Sequence, residues 1–185
     1  MKRRIFIAIN LPEKLKKRLK EYREEFDYLP VRWTKEDSLH LTLVFIGYVT
    51  DEQMLETCRV AKEIARNEEP LAINFKRIIL GPPGKTPRMI WLEGEPNEAL
   101  RELKEKLEAQ LLKNDSGLQK AEARSFSPHI TLARIKSGQW REYDIPKDIE
   151  REFSAEVPAA SIEIMESDLK RDGAEYAVLE SCPLG

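Results

Sequence analysis

The chain has 185 residues, of which 41% are hydrophobic and 35% charged, so it is long enough for a globular domain with a highly charged surface. Its 31 Lys and Arg residues against 33 Asp and Glu residues give a formal net charge of −2. A protein that binds long nucleic acid through many phosphates normally has a basic excess, so any such partner is expected at one small site.

No apolar run approaches the ~18 residues that a transmembrane helix needs, and no signal peptide is recognisable. The two cysteines, Cys58 and Cys182, have neither a disulfide-rich nor a Cys-x-x-Cys spacing. We therefore expect two free thiols in a cytoplasmic protein without membrane contact.

The first part of the chain predicts alternating strands and helices. A β-rich run over residues 4–9 is followed from Pro12 to about residue 28 by apolar positions at three- and four-residue steps, which predict an amphipathic helix. A strand is predicted over residues 39–48. Thr50 and Gln53 then fit the capping box of a second helix.

The rest of the chain continues the alternation. Pro158 is expected to interrupt a strand, Ser137-Gly138 to end another, and residues 170–173 to form a hairpin turn. The predicted elements are an irregular strand over 71–80, its antiparallel partner over 88–92, a leucine-striped helix over 97–114, and strands over 129–135, 153–165 and 176–179. This order predicts an α+β fold with two similar halves and no domain boundary.

The only two histidines of the chain, His40 and His129, lie in the same local pattern of His-apolar-Thr-apolar. Because side chains alternate along a strand, each histidine shares a face with the threonine two residues later, Thr42 or Thr131. One histidine in an apolar strand is more often a buried, hydrogen-bonded residue than a catalyst. The repetition favours a paired site, in which two imidazoles and two hydroxyls meet across one cleft.

Two facing imidazoles suit acid–base chemistry at phosphorus. With an ordinary pKa near ~6.5, one histidine can activate the attacking oxygen while the other protonates the departing one. The threonine hydroxyls can donate hydrogen bonds to the non-bridging oxygens, where charge builds up. This chemistry requires no metal or cofactor, and none is expected. A zinc site built from the two histidines and a cysteine is the alternative.

Three stretches, residues 4–12, residues 32–47 and residues 127–134, resemble the two-histidine phosphoesterase superfamily and its RNA 2',3'-cyclic phosphodiesterases, historically called 2'-5' RNA ligases. The resemblance implies a single bilobal α+β domain over residues 1–185, with antiparallel sheets that line a central cleft and helices outside. It also implies metal-independent hydrolysis of RNA 2',3'-cyclic phosphate ends to 2'-phosphomonoesters. By resemblance, His40 is the proton donor and His129 the proton acceptor, whereas the motif chemistry itself leaves their order open.

The same resemblance implies that Thr42 and Thr131 bind the phosphate and that Phe45 and Arg134 flank a nucleobase. Both of the latter lie five residues after a motif histidine, and simple alternation puts such an odd offset on the opposite face. A bulge or a strand end is needed to redirect them. A plain core position is the alternative for Phe45.

Three other functions stay open at this point. The substrate could be a small cyclic nucleotide or ADP-ribose cyclic phosphate, and the same site could catalyse the reverse 2'-5' ligation. A non-catalytic module that binds RNA ends is the third, although binding alone would more naturally use Arg and Lys. The protein is expected to be a monomer.

Overall fold

The computed structural model of the protein describes residues 2–118, 126–135, 146–170 and 173–185. The predicted strand end at Ser137-Gly138 and the two central residues of the predicted hairpin turn lie outside these ranges. Within them, the chain forms β1 (Arg3–Asn10), α1 (Glu13–Glu25), β2 (Val31–Trp33), β3 (His40–Val49), α2 (Asp51–Ala65), β4 (Leu71–Gly81), β5 (Met89–Gly94), α3 (Glu98–Lys113), β6 (His129–Ile135), β7 (Arg151–Ala159), β8 (Ser161–Lys170) and β9 (Gly173–Pro183).

The strands form one sheet in the order β7-β4-β5-β6-β3-β1-β8-β9, and the short β2 pairs with β6. Every described pairing is antiparallel. The sheet has two four-stranded halves, which meet where β3 pairs with β6 at Leu41 and Ile130. The expected α+β fold with two antiparallel lobes is confirmed, and the two motif strands lie side by side at its centre.

The helices pack on one face of the sheet because each presents an apolar stripe to that face. In α3 the four buried leucines recur at three- and four-residue steps and are fully buried: Leu100, Leu103, Leu107 and Leu111. α2 packs against β8, β9 and α3. The three isoleucines of β1, Ile5, Ile7 and Ile9, reach the same core. The helices leave the opposite face of the central strands open.

Three local predictions are confirmed. The side chains and backbone amides of Thr50 and Gln53 exchange hydrogen bonds at the start of α2 as a capping box. The irregularity in β4 is a register shift between Phe75 and Arg77, and β4 pairs antiparallel with β5. Lys170 pairs with Gly173 across the end of the β8–β9 hairpin.

The predicted interruption at Pro158 is wrong. Pro158 lies within β7, in register with Ala72 of β4, and the break between β7 and β8 comes at Ala160. Proline lacks a backbone N–H, so a strand tolerates it where one side needs no hydrogen-bond partner. β7 is the edge of the sheet, which gives Pro158 such a position.

Both cysteines are free thiols, as expected. Cys58 is partly buried on α2 and Cys182 is buried in β9. Burial raises the pKa of both thiols, that of Cys182 to about 11. Among the described residues, no helix has the length and apolar character to cross a membrane.

Candidate active site

Both motif strands contain a β-bulge directly after their threonine. Leu43 in β3 and Leu132 in β6 are the extra residues: each is skipped in the register with the neighbouring strand, and both are buried. A bulge shifts the following side chains to the other face. Phe45 and Arg134 therefore rejoin the face of the histidines and threonines, and both line the same cleft.

The pairing of Leu41 with Ile130 brings the two motifs together. Both residues are fully buried, and in an antiparallel register their neighbours on the other face lie opposite each other. His40 thus lies across from Thr131, and Thr42 lies across from His129. All four side chains line a cleft of about 190 Å³. The structure gathers the four residues into one site.

His40 is oriented through its Nδ1 atom, 2.7 Å from the backbone carbonyl oxygen of Ser38. A carbonyl oxygen only accepts, so Nδ1 carries the hydrogen and donates it. Its Nε2 atom lies 3.1 Å from the hydroxyl of Thr42, on the cleft side. The ring is also packed by Phe6 at 4.8 Å and Tyr176 at 5.0 Å between ring centroids.

His129 is held in the same way, with Nδ1 2.9 Å from the carbonyl oxygen of Ser127. Its ring neighbour differs, because Trp91 of β5 stacks on it with 3.9 Å between ring centroids and 26° between planes. A Cβ added to Gly81 would lie 2.4 Å from the Trp91 ring. Gly81 therefore leaves the space that this indole occupies.

Burial lowers the pKa of both imidazoles below the ordinary value, because it disfavours the charged form. The bonds to Ser38 and Ser127 act in the opposite direction in each case. The positive charge of Arg134 lowers the pKa of His40 further. Both rings are thus biased toward the neutral form, in which Nε2 can accept a proton.

Phe45 is not a core residue, since half of its surface is exposed. The guanidinium of Arg4 lies over its ring, 4.7 Å from the centroid. Arg134 is exposed on the other side of the cleft, and its Nη1 atom lies 3.8 Å from the Met89 sulfur. Both side chains line the cleft that contains the histidines.

Several contributors were missed by the sequence analysis. The two carbonyls that orient the histidines belong to Ser38 and Ser127, and the repeated pattern Ser-x-His-x-Thr could have revealed them. The ring neighbours Phe6, Trp91 and Tyr176 come from three other strands. They show no motif, so only the strand register places them in the site.

The zinc alternative is not supported by the geometry. Neither cysteine lines the cleft that contains the histidines. Within the ranges that the structure describes, no group of three or more His, Cys, Asp or Glu side chains is placed to hold a metal ion.

Comparison with known proteins identifies the family. The family model of the 2'-5' RNA ligase superfamily matches residues 11–171, most of the chain. The chain belongs to the 2'-5' RNA ligase superfamily. The matched residues include both histidine motifs and the strand that supplies Trp91, the ring neighbour of His129.

Individual relatives cover nearly the whole chain. A protein of Methanocaldococcus jannaschii named RNA 2',3'-cyclic phosphodiesterase is 28% identical over 96% of this chain and 98% of its own length. A Thermus thermophilus protein of the same name is 31% identical over 98% of this chain and 90% of its own. A crystal structure of a Thermus thermophilus protein matches with a TM-score of 0.82 at 29% identity, covering 98% of this chain and 97% of that one.

Proposed function

We propose that the protein is a metal-independent RNA 2',3'-cyclic phosphodiesterase that converts cyclic phosphate ends to 2'-phosphomonoesters. The observation that carries the proposal is the antiparallel pairing at Leu41 and Ile130, which puts two histidines and two threonines on one cleft face. The family membership and the names of the relatives support the substrate class.

In the proposed reaction, the neutral Nε2 atom of His129 removes a proton from water as the water oxygen attacks phosphorus. The bond between phosphorus and the 3'-oxygen breaks, and the protonated Nε2 atom of His40 donates its proton to that oxygen. The bond to the 2'-oxygen stays intact, so the product is a 2'-phosphomonoester with a free 3'-hydroxyl. After this step His129 is protonated and His40 is neutral. The two histidines return to their starting states by exchanging protons through water.

The carbonyl contacts support different roles for the two nitrogen atoms of each imidazole ring. In both histidines Nδ1 is used for orientation, which leaves Nε2 as the atom for proton transfer. Thr42 and Thr131 are proposed to donate hydrogen bonds to the non-bridging phosphate oxygens, where negative charge grows in the transition state. Such donors stabilise the transition state most when the fold holds them in position before the reaction begins.

Phe45 and Arg134 are proposed to flank the base of the terminal nucleotide. Their exposure on the cleft face, produced by the two bulges, supports this role. An exposed aromatic ring and a guanidinium plane can each stack on a base.

The same site could run 2'-5' ligation if the 5'-hydroxyl of a second RNA takes the place of water. Small cyclic nucleotides also contain the reacting group, so they are alternative substrates. Action as a monomer in the cytoplasm, where both thiols would stay reduced, belongs to the proposal as well.

Turnover in the presence of EDTA tests the proposal. We expect the wild-type protein to hydrolyse an oligonucleotide with a 2',3'-cyclic phosphate end, and the His129→Ala variant to bind it without comparable turnover. Equal turnover by the His129→Ala variant would overturn the proposed chemistry. Tight binding without turnover by the wild-type protein would instead indicate a module that binds RNA ends.

A further inference from the structure

The cleft face of β3 continues past Phe45 to a second exposed aromatic residue, Tyr48. A second register shift skips Ile46, and the neighbouring Gly47 has the positive φ of 101° that favours glycine. Tyr48 pairs with Arg4, two pairs further along the register than the pairing of Phe45 with Phe6. His40, Thr42, Phe45 and Tyr48 therefore follow one another along the same face of one strand.

Both aromatic rings are open to a ligand. Phe45 is 50% exposed and Tyr48 is 61% exposed, although both side chains are large. Most of the other residues of β3 are buried. The rise of about 3.3 Å per residue puts Tyr48 at most about 10 Å beyond Phe45. The Tyr48 ring thus lies further from the histidines than the Phe45 ring.

Arg4 lies between these two rings. It is the cross-strand partner of Tyr48, its guanidinium covers one face of Phe45 at 4.7 Å, and its Nη1 atom donates to the Ser167 hydroxyl at 3.2 Å. The adjacent Arg3 points elsewhere and is ion-paired with two carboxylates, Asp51 and Glu166. Arg4 instead keeps the guanidinium on the cleft face, beside a hydroxyl and a ring.

Exposed aromatic rings in a row with a cation between them are what proteins use to bind single-stranded nucleic acid. Successive bases stack on the rings, and the cation meets the phosphate that connects the nucleotides. Here the row begins at the paired histidines, where the cyclic phosphate of the last nucleotide would lie. The row can therefore accept the chain that precedes this nucleotide.

We infer that Tyr48 and Arg4 form a subsite for the penultimate nucleotide of an RNA strand, whose base stacks on Tyr48 while the connecting phosphodiester meets Arg4. The inference rests on the proposed function and specifies its substrate class. The protein acts on chains of two or more nucleotides in preference to cyclic mononucleotides.

The test compares adenosine 2',3'-cyclic phosphate with the dinucleotide ApA that ends in a 2',3'-cyclic phosphate. For the wild-type protein we expect a higher kcat/KM with the dinucleotide. The Tyr48→Ala variant should lose about tenfold or more in kcat/KM on the dinucleotide, through KM, because stacking is lost far from the reacting atoms. Its kcat/KM on the mononucleotide should stay unchanged, and the Tyr48→Phe variant should retain the preference.

Tyr28 provides a matched control, since it is 64% exposed and follows α1, outside the sheet. The Tyr28→Ala variant should behave like the wild-type protein on both substrates. A dinucleotide without its 5' base should be hydrolysed equally by the wild-type protein and the Tyr48→Ala variant, because it has no base to stack.

The outcomes separate the two claims. Hydrolysis of neither substrate by the wild-type protein would overturn the proposed function and the subsite together. Equal wild-type kcat/KM on both substrates, or an equal loss on both in the Tyr48→Ala variant, would overturn the subsite and leave the proposed function intact.

Discussion

The two halves of the cleft orient their histidines in the same way but surround them with different rings. His40 and His129 each donate from Nδ1 to the carbonyl oxygen two residues earlier. His40 then packs against the phenyl ring of Phe6, whereas His129 stacks flat on the indole of Trp91. The repeated motif sets the orientation, and neighbouring strands set the difference.

The different ring neighbours of the two histidines affect how readily each imidazole carries a positive charge. An indole face stabilises a cation above it, so Trp91 favours the protonated form of His129. The charge of Arg134 disfavours the protonated form of His40. The indole acts to make His129 more basic, which suits a proton acceptor, and the charge of Arg134 acts to make His40 more acidic, which suits a proton donor. The asymmetry therefore supports the proposed roles, which the symmetrical motifs alone leave open.

Removing either imidazole should have the largest effect. The His40→Ala and His129→Ala variants should each lose ~10²–10⁴-fold in kcat, because each loses one of the two proton transfers. The double variant should lose much less than the product of the two, since the groups act as a unit. Steady-state kinetics on a cyclic-phosphate dinucleotide measures this. A single variant that keeps nearly full activity would show that its half of the cleft is not catalytic.

Removing a threonine hydroxyl should cost less. The Thr42→Val and Thr131→Val variants keep a β-branched side chain in the strand and should lose up to about 10²-fold in kcat, as expected for one hydrogen-bond donor to the developing charge.

The two threonine variants should differ in one further respect. The Thr42 hydroxyl lies 3.1 Å from Nε2 of His40, so the Thr42→Val variant should also change the titration of His40. NMR titration of the two histidines checks this. An unchanged kcat in both variants would remove the threonines from the proposed mechanism.

The pH dependence should favour mild acid. Burial lowers the pKa of both histidines, so both are neutral at pH 8 and the proton needed by the leaving oxygen is scarce. We expect kcat/KM, which reports the free enzyme, to peak below pH ~6.5 and to fall by about tenfold per pH unit well above both pKa values. A kcat/KM that continues to rise between pH 7 and pH 9 would contradict the acid–base assignment.

Changing the ring beside His129 should have the smallest effect on rate but a directional effect on titration. The Trp91→Phe variant keeps an apolar ring beside His129 but replaces the indole with a weaker cation–π partner, so it should lower the pKa of His129 further and leave the pKa of His40 unchanged. NMR titration resolves the two histidines. Equal changes at both rings would show that the asymmetry does not come from Trp91.

The sequence predicted the parts of the site that repeat locally. The periodicity of two places Thr42 with His40 and Thr131 with His129. A third repeated residue, serine, marks the carbonyls that orient the rings, and it was not among the predicted site residues. The odd offset of Phe45 required a bulge, and the register contains one. Local pattern was sufficient for the two histidine–threonine pairs, whereas the place of Phe45 beside them was implied only by the family resemblance.

The remaining features depend on contacts between distant segments. Trp91 appeared only as part of a returning strand, because nothing in its neighbourhood indicates that β5 pairs with β6. Pro158 predicts a strand break, because the sequence does not show that β7 is the edge of the sheet. The places of Trp91 and Pro158 both depend on the order of the strands in the sheet, which is set by contacts across the whole fold.

Product analysis tests the central claim most directly. Incubation of the cyclic-phosphate dinucleotide ApA with the wild-type protein in EDTA, followed by phosphorus NMR, identifies which phosphate ester remains. Protonation of the 3'-oxygen by His40 predicts a 2'-phosphomonoester as the single product. A 3'-phosphomonoester would contradict the proposed geometry of attack, and a requirement for added metal ion would contradict catalysis by the paired histidines alone.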